Sequence, residues 1–250
     1  MCTVVILRRP ADEWPLILGA NRDEMRDRQW RAPARHWPER PEVVAGYDEE
    51  AGGSWLGLND HGVVAAVLNR PGTLGRDERL RSRGELVLDA LDHADAADAA
   101  QALTALDPAA YRAFNMIIAD SRDAFWIRSL GAGPPGRVAV GPIPHGISLL
   151  TAHDLNDPSS PRQRANLPRF VAASAPDPGR GEFTAWQDLL ADEVNPDGAE
   201  TAMRFIKPSG FGTTSSAIIA LPRPGIDRVP VFRFAAVTPG APVVFAPVTG

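Results

Sequence analysis

The chain has 250 residues, 44% hydrophobic and 23% charged, with a formal net charge of -5 and a sequence pI near 5.6. That balance suits an ordinary soluble globular domain with a substantial core. It leaves no basic footprint for nucleic acid, because the basic residues are scattered rather than striped. Cys2 is the only cysteine, so neither an internal disulfide nor a Cys-x-x-Cys metal or redox site can form. Lys207 is the only lysine and lies in no phosphate-gripping or Schiff-base motif. The apolar opening stops at Arg8-Arg9-Pro10, too soon for a secretory leader, and no run is long enough to span a bilayer. One cytoplasmic domain, 1–250, is expected.

Val4 to Leu7 and Leu16 to Ala20 are apolar runs separated by Arg9-Pro10-Ala11-Asp12-Glu13, which predicts an antiparallel hairpin. Residues 25–51 contain the steps Ala32-Pro33, Trp37-Pro38 and Arg40-Pro41, which forbid a long helix and predict an irregular stretch, either a lid or binding loop or a surface excursion stapled to the core by its tryptophans. A second hairpin is expected from Gly52–Leu58 and Gly62–Asn69, turned at Asn59-Asp60-His61-Gly62. Ser82 and Glu85 have the spacing of a capping box for a helix through Leu91, and an alanine-rich helix follows from Asp95 to Leu106. Strands are expected at 114–119, 124–130, 137–140 and 147–151, helices at 161–175 and 183–193, and closing strands at 213–221, 229–237 and 242–248. Strands, helices, strands, helices and strands again, without a βαβ series, give a mixed α+β fold with helices covering sheets.

The first hairpin sets the chemistry. Antiparallel pairing returns Asn21-Arg22-Asp23-Glu24 to the side of Cys2. Removal of Met1 would leave a thiol and a free α-amine on one residue, with ordinary pKa values of about 8.5 and roughly 7.7 to 8. Nucleophile and base would then share a residue. In this reading Arg22 holds the thiolate by charge, and Asp23 or Glu24 anchors the ammonium.

Met1-Cys2-Thr3, Asn21-Arg22-Asp23-Glu24, Ala45-Gly46-Tyr47-Asp48, Gly52-Gly53-Ser54-Trp55-Leu56-Gly57 and the Gly62-led stretch ending Leu68-Asn69 together resemble the NRDE-motif family, which includes the eukaryotic transport and Golgi organisation proteins. The match is dense over residues 1–71 and thin afterwards. The resemblance implies the N-terminal-nucleophile hydrolase fold, a four-layer αββα arrangement of two antiparallel sheets covered by helices. It also implies kinship with bile-salt hydrolases and penicillin V acylases, which cleave non-peptide amides with an N-terminal Cys. Carried over by position, Cys2 matches the nucleophile, the Asn21-to-Glu24 cluster occupies the place of the flanking Arg and Asp, and Asn69 resembles the oxyanion-hole Asn. Two later features differ. Ile147-Ser148-Leu149-Leu150-Thr151 stands in place of a Leu-Ser-Asn stretch, and Phe211-Gly212-Thr213-Thr214 in place of a Tyr-Gly-Thr-Arg stretch.

The leading expectation is therefore an N-terminal cysteine hydrolase acting on an amide or other acyl bond of a small hydrophobic substrate, without cofactor or metal. Cys2, Asn21, Arg22, Asp23, Glu24 and Asn69 would form the catalytic group, and Trp30, Trp37 and Trp55 the substrate walls. The rival expectation is a carrier. NRDE relatives are linked to haem trafficking, and a degenerate pocket walled by those tryptophans could hold a flat ligand, with Cys2 or His36 on iron. His153-Asp154 and the other histidines lack ligand spacing and read as turns. Gly210 to Ser216 lacks the Gly-Lys-Ser/Thr of a phosphate loop and reads as a strand entry near the pocket mouth. Homo-oligomerisation is left open.

Overall fold

The computed structural model describes residues 2–75, 77–134, 136–194, 198 and 201–249. Backbone contacts divide the chain into two compact units, Met1–Arg28 with Pro144–Val248, and Gln29–Ile143 with Thr249–Gly250.

The first unit is built on the opening hairpin. Strand β1 (Thr3–Arg8) pairs with β2 (Leu16–Met25), with Thr3 opposite Asn21, and the turn closes through Arg9 N donating to Pro15 O at 2.8 Å. Both strands lie inside the sheet that the whole unit shares, and β1 is buried along its entire length.

Continuing in chain order, the second unit contains β3 (Trp30–Ala34), β4 (Val43–Asp48), β5 (Leu56–Asn59), β6 (Val64–Asn69), helices α1 (Gly84–Leu91) and α2 (Ala96–Leu103), then β7 (Phe114–Ala119), β8 (Ala124–Ser129) and β9 (Ala139–Pro142). Its strands form an antiparallel seven-stranded meander in strict chain order, and α1 and α2 pack on it around Leu86, Leu91, Phe114, Met116 and Ile118. Gly53 lets α1 approach backbone to backbone: a Cβ there would meet the Gly84 carbonyl carbon at 2.5 Å, and Ser54 N donates to Gly84 O at 3.0 Å.

Back in the first unit, β10 (Gly146–Leu150), α3 (Pro161–Ala172), α4 (Thr184–Ala191), β11 (Phe211–Leu221), β12 (Val231–Ala236) and β13 (Ala246–Pro247) complete an antiparallel sheet of order β10-β1-β2-β11-β12-β13. Alternate residues Val5, Leu7 and Ile17, with Ile218 and Ala220 of β11, pack against Phe170 of α3 and Trp186 and Leu190 of α4. Phe170 and Trp186 meet edge to face at 5.4 Å.

Three expectations are corrected. Residues 25–51 are not wholly irregular: β2 runs on to Met25, and β3 and β4 follow. Pro33 excludes a helix, but it is tolerated in β3 because that strand is the sheet edge and its register slips between Arg31 and Ala34. The strand before the Gly62 turn begins at Leu56, so Gly52–Ser54 lies outside it. The capping box does not form. Ser82 Oγ accepts from Gly84 N, while Glu85 is turned back to Arg81 in an ion pair. Asp95, by contrast, caps α2 by accepting from Asp98 N at 2.8 Å. No helix among the described residues is long and apolar enough to cross a membrane.

Candidate active site

The hairpin register fixes Cys2 beside the end of β2. Its Sγ donates to Asp23 O at 3.6 Å and accepts from Asp23 N at 3.4 Å, so the sulfur occupies the place where a strand backbone would continue the ladder. The residue is partly exposed, whereas the neighbouring strand residues Thr3, Asn21, Arg22 and Asp23 are buried.

Period-two alternation then sorts the four motif residues onto two faces. Asn21 and Asp23 point to the helix-covered face. Asn21 Nδ2 donates to Leu190 O and Met203 O, both at 2.9 Å, and its Oδ1 accepts from Ser216 Oγ at 2.7 Å. Asp23 Oδ2 accepts from Arg162 Nη1 at 2.8 Å, and Oδ1 from Thr213 Oγ1 at 2.8 Å. Arg22 and Glu24 share the other face, 3.7 Å apart, with Arg28 3.8 Å from the same Glu24 oxygen. The alternatives left open by sequence thus occupy different settings: the Asp23 side chain is fully enclosed, while that of Glu24 remains 26% exposed.

Two stretches that sequence treated separately are one assembly. β11 pairs antiparallel with β2, and its hydroxyls address the motif residue by residue: Ser216 to Asn21, Thr214 to Arg22, Thr213 to Asp23. The register shift between Thr213 and Ser215 lets hydroxyls three apart in β11 reach residues two apart in β2. A run of hydroxyl residues in a fully buried strand was the visible sign, since each buried hydroxyl needs a partner.

Arg162 went unnoticed in sequence. It lies in the first turn of α3, its side chain is 4% exposed, and it donates to Thr3 Oγ1 at 3.0 Å as well as to Asp23. Its guanidinium carbon lies 5.0 Å from the centre of the Phe205 ring. The Ser160-Pro161 cap marks a helix start, and a cation in the first turn, where the dipole disfavours it, was the legible clue.

Burial, then the Asp23 carboxylate, push the Cys2 thiol above its ordinary range, and they outweigh the terminal amine, the Asp23 N–H and the charge of Arg22. The charge of Arg22 acts in the expected direction, favouring the thiolate, while its guanidinium also meets Thr214 and Glu24.

The remaining candidates belong to the second unit. Asn69 ends β6, buried, and its side chain forms no hydrogen bond among the described residues. Trp30 and Trp55 meet edge to face at 5.7 Å. Trp37 is part of that unit's core, its Nε1 donating to Gly52 O at 3.2 Å. His36 meets Trp37 edge to face at 5.7 Å and Tyr47 at a tilt at 5.4 Å, with Nε2 2.8 Å from Ala32 O.

Comparison with known proteins agrees with this architecture. The solved N-acylethanolamine-hydrolyzing acid amidase orthologue of Caenorhabditis elegans superposes with a TM-score of 0.58 at 13% identity, covering 90% of this chain and 94% of that one. A conjugated bile acid hydrolase of Clostridium perfringens gives 0.54 at 13% identity, covering 99% and 92%. These likenesses show the fold, the α+β class of N-terminal-nucleophile hydrolases expected from the motifs. Among sequences, the human Transport and Golgi organization protein 2 homolog is 29% identical over 240 residues, 84% of this chain and 83% of that protein. The Bos taurus homolog is 40% identical over 110 residues, 42% of this chain and only 38% of that protein. The family model for Transport and Golgi organisation 2 matches residues 1–225, and the chain is a member of that family.

Proposed function

We propose that the protein is an N-terminal cysteine hydrolase that cleaves an amide or related acyl bond of a small hydrophobic substrate. The observation that carries the reading is the seating of Cys2: its sulfur is bonded to both main-chain groups of Asp23, and the Asp23 carboxylate is itself clamped by Arg162 and Thr213. The solved relatives named an amidase and a hydrolase support it by analogy of fold.

After Met1 is removed, the α-amine of Cys2 accepts the thiol proton as the sulfur attacks the acyl carbon, forming the S–C bond and a tetrahedral oxyanion. Collapse breaks the C–N bond, and the ammonium returns the proton to the leaving amine. Water, deprotonated by the same amine, then releases the acid from the thioester and restores the thiol. Oxyanion donors contribute about 3–4 kcal/mol each where they have been removed from other hydrolases; Asn69 is proposed as one from its motif.

The test is a panel of acyl amides of varied chain length, assayed with the wild type and Cys2→Ala after intact mass has established that Met1 is absent. Turnover that disappears in Cys2→Ala is expected. Equal turnover in both proteins, or none with any substrate despite a free Cys2 terminus, contradicts the reading. Asn69→Ala and Trp30→Ala in the same panel ask whether the second unit contributes.

A further inference from the structure

We propose that Arg162 is a positioning residue of the Cys2 site, one that fixes the Asp23 carboxylate and offsets its charge beside the thiol. The proposal rests on the reading of Cys2 as nucleophile and extends it to a helix for which the motifs imply no role.

Arg162 straddles the open end of the hairpin. One guanidinium nitrogen reaches β1 through Thr3 Oγ1 at 3.0 Å and β2 through Asp23 Oδ2 at 2.8 Å, so the two residues flanking the sulfur along the chain and across the ladder are held by one group. The position is poor for every local purpose. A cation in the first turn of α3 faces the positive end of the helix dipole, and the side chain is removed from water. A residue that opposes local preference at a buried site marks a place where another requirement dominates. That requirement is visible here. Asp23 bonds the sulfur through its main chain, its carboxylate is enclosed, and its charge opposes ionisation of Cys2. Thr213 supplies a further hydrogen bond to the carboxylate but no charge.

The charged groups bearing on the thiol are Asp23 and Arg22 of β2, the amine at the chain terminus, Glu24 beside Arg22, and Arg162 of α3 acting through Asp23; Thr213 of β11 is uncharged. Removing Arg162 takes from that carboxylate a buried cation that stands 2.8 Å away. The thiol should then ionise at higher pH, by about one unit, because the neighbouring carboxylate has lost a buried cation that offset it.

The experiment follows iodoacetamide alkylation of Cys2 in the full chain as a function of pH, with folding checked by circular dichroism. Arg162→Met is expected to move the alkylation midpoint upward, and Arg162→Met combined with Asp23→Asn to bring it back down. Arg162→Gln, which keeps an amide donor without charge, is the variant to use should Arg162→Met not fold, and it shifts the midpoint in the same direction. An unmoved midpoint in whichever variant folds, or a double variant that behaves like the single one, overturns the proposal. A merely structural clamp would alter stability without this pH signature. Alkylation requires no turnover: a wild type without Cys2-dependent activity would defeat the hydrolase reading alone, and intact activity with an unmoved midpoint would defeat only the role of Arg162.

Discussion

Asn21 stands in the catalytic cluster by sequence, yet every polar atom of its side chain is engaged in holding the unit together. Replacing it with Ala strips the partner from Leu190 O in α4 and from Met203 O, both at 2.9 Å, and from the Ser216 hydroxyl at 2.7 Å. Asn21 and Ser216 are buried, so water cannot readily take over. A buried group left unpaired costs about 1–3 kcal/mol. Allowing partial relaxation of the two carbonyls and rotation of the hydroxyl, the total comes to about 3–5 kcal/mol, the upper range for a single substitution. For a chain of this length that lowers Tm by roughly 6–20 °C. Urea unfolding of Asn21→Ala and Ser216→Ala, singly and together, measures it. Ser216→Ala alone should cost about 1 kcal/mol, and the pair should fall short of additivity because they share a hydrogen bond. A loss below about 1 kcal/mol for Asn21→Ala, far under the penalty for three unpaired groups, would refute the assignment. It would return Asn21 to a direct role at the thiol.

Two further outcomes follow from the same geometry. Gly212→Ala places a Cβ 2.4 Å from Phe205 O and 2.9 Å from Ile206 Cα, both backbone, so the bridge between these segments must part. The variant should lose about 1–3 kcal/mol in urea unfolding and, because Thr213 is displaced from Asp23, show altered Cys2 alkylation; wild-type behaviour in both would contradict the packing. Asp95→Ala removes the 2.8 Å cap on α2 and should cost about 1 kcal/mol in the same assay, whereas Ser82→Ala, which loses only a longer bond of 3.2 Å from Gly84 N, should cost less.

Much of the fold was legible because its signals are local. The runs Val4–Leu7 and Leu16–Ala20, the Gly62 turn and the Ser160-Pro161 start each write their conformation into a few neighbouring residues. The edge strand through Pro33 was not, since what rescues a proline there is its place at the end of a sheet. Ser82 and Glu85 had the right spacing, but Arg81 offered the carboxylate a nearer partner. In the site, Cys2 and the Asn21-to-Glu24 cluster could be paired by hairpin register alone. Arg162 and Thr213 could not, because they reach Asp23 across separations of 139 and 190 residues that no local pattern encodes. Alternation along β2 could have separated Asp23 from Glu24, given knowledge of which face the helices cover.

The central claim is that Cys2 forms the covalent bond to substrate, and mass spectrometry after acid quench of a turnover mixture tests it most directly. With an acyl amide that the protein cleaves, the account predicts a peptide beginning at Cys2 heavier by the acyl group less one hydrogen, with no such adduct in Cys2→Ala. Turnover that proceeds undiminished in Cys2→Ala, or an acyl group found on any other residue, would contradict it.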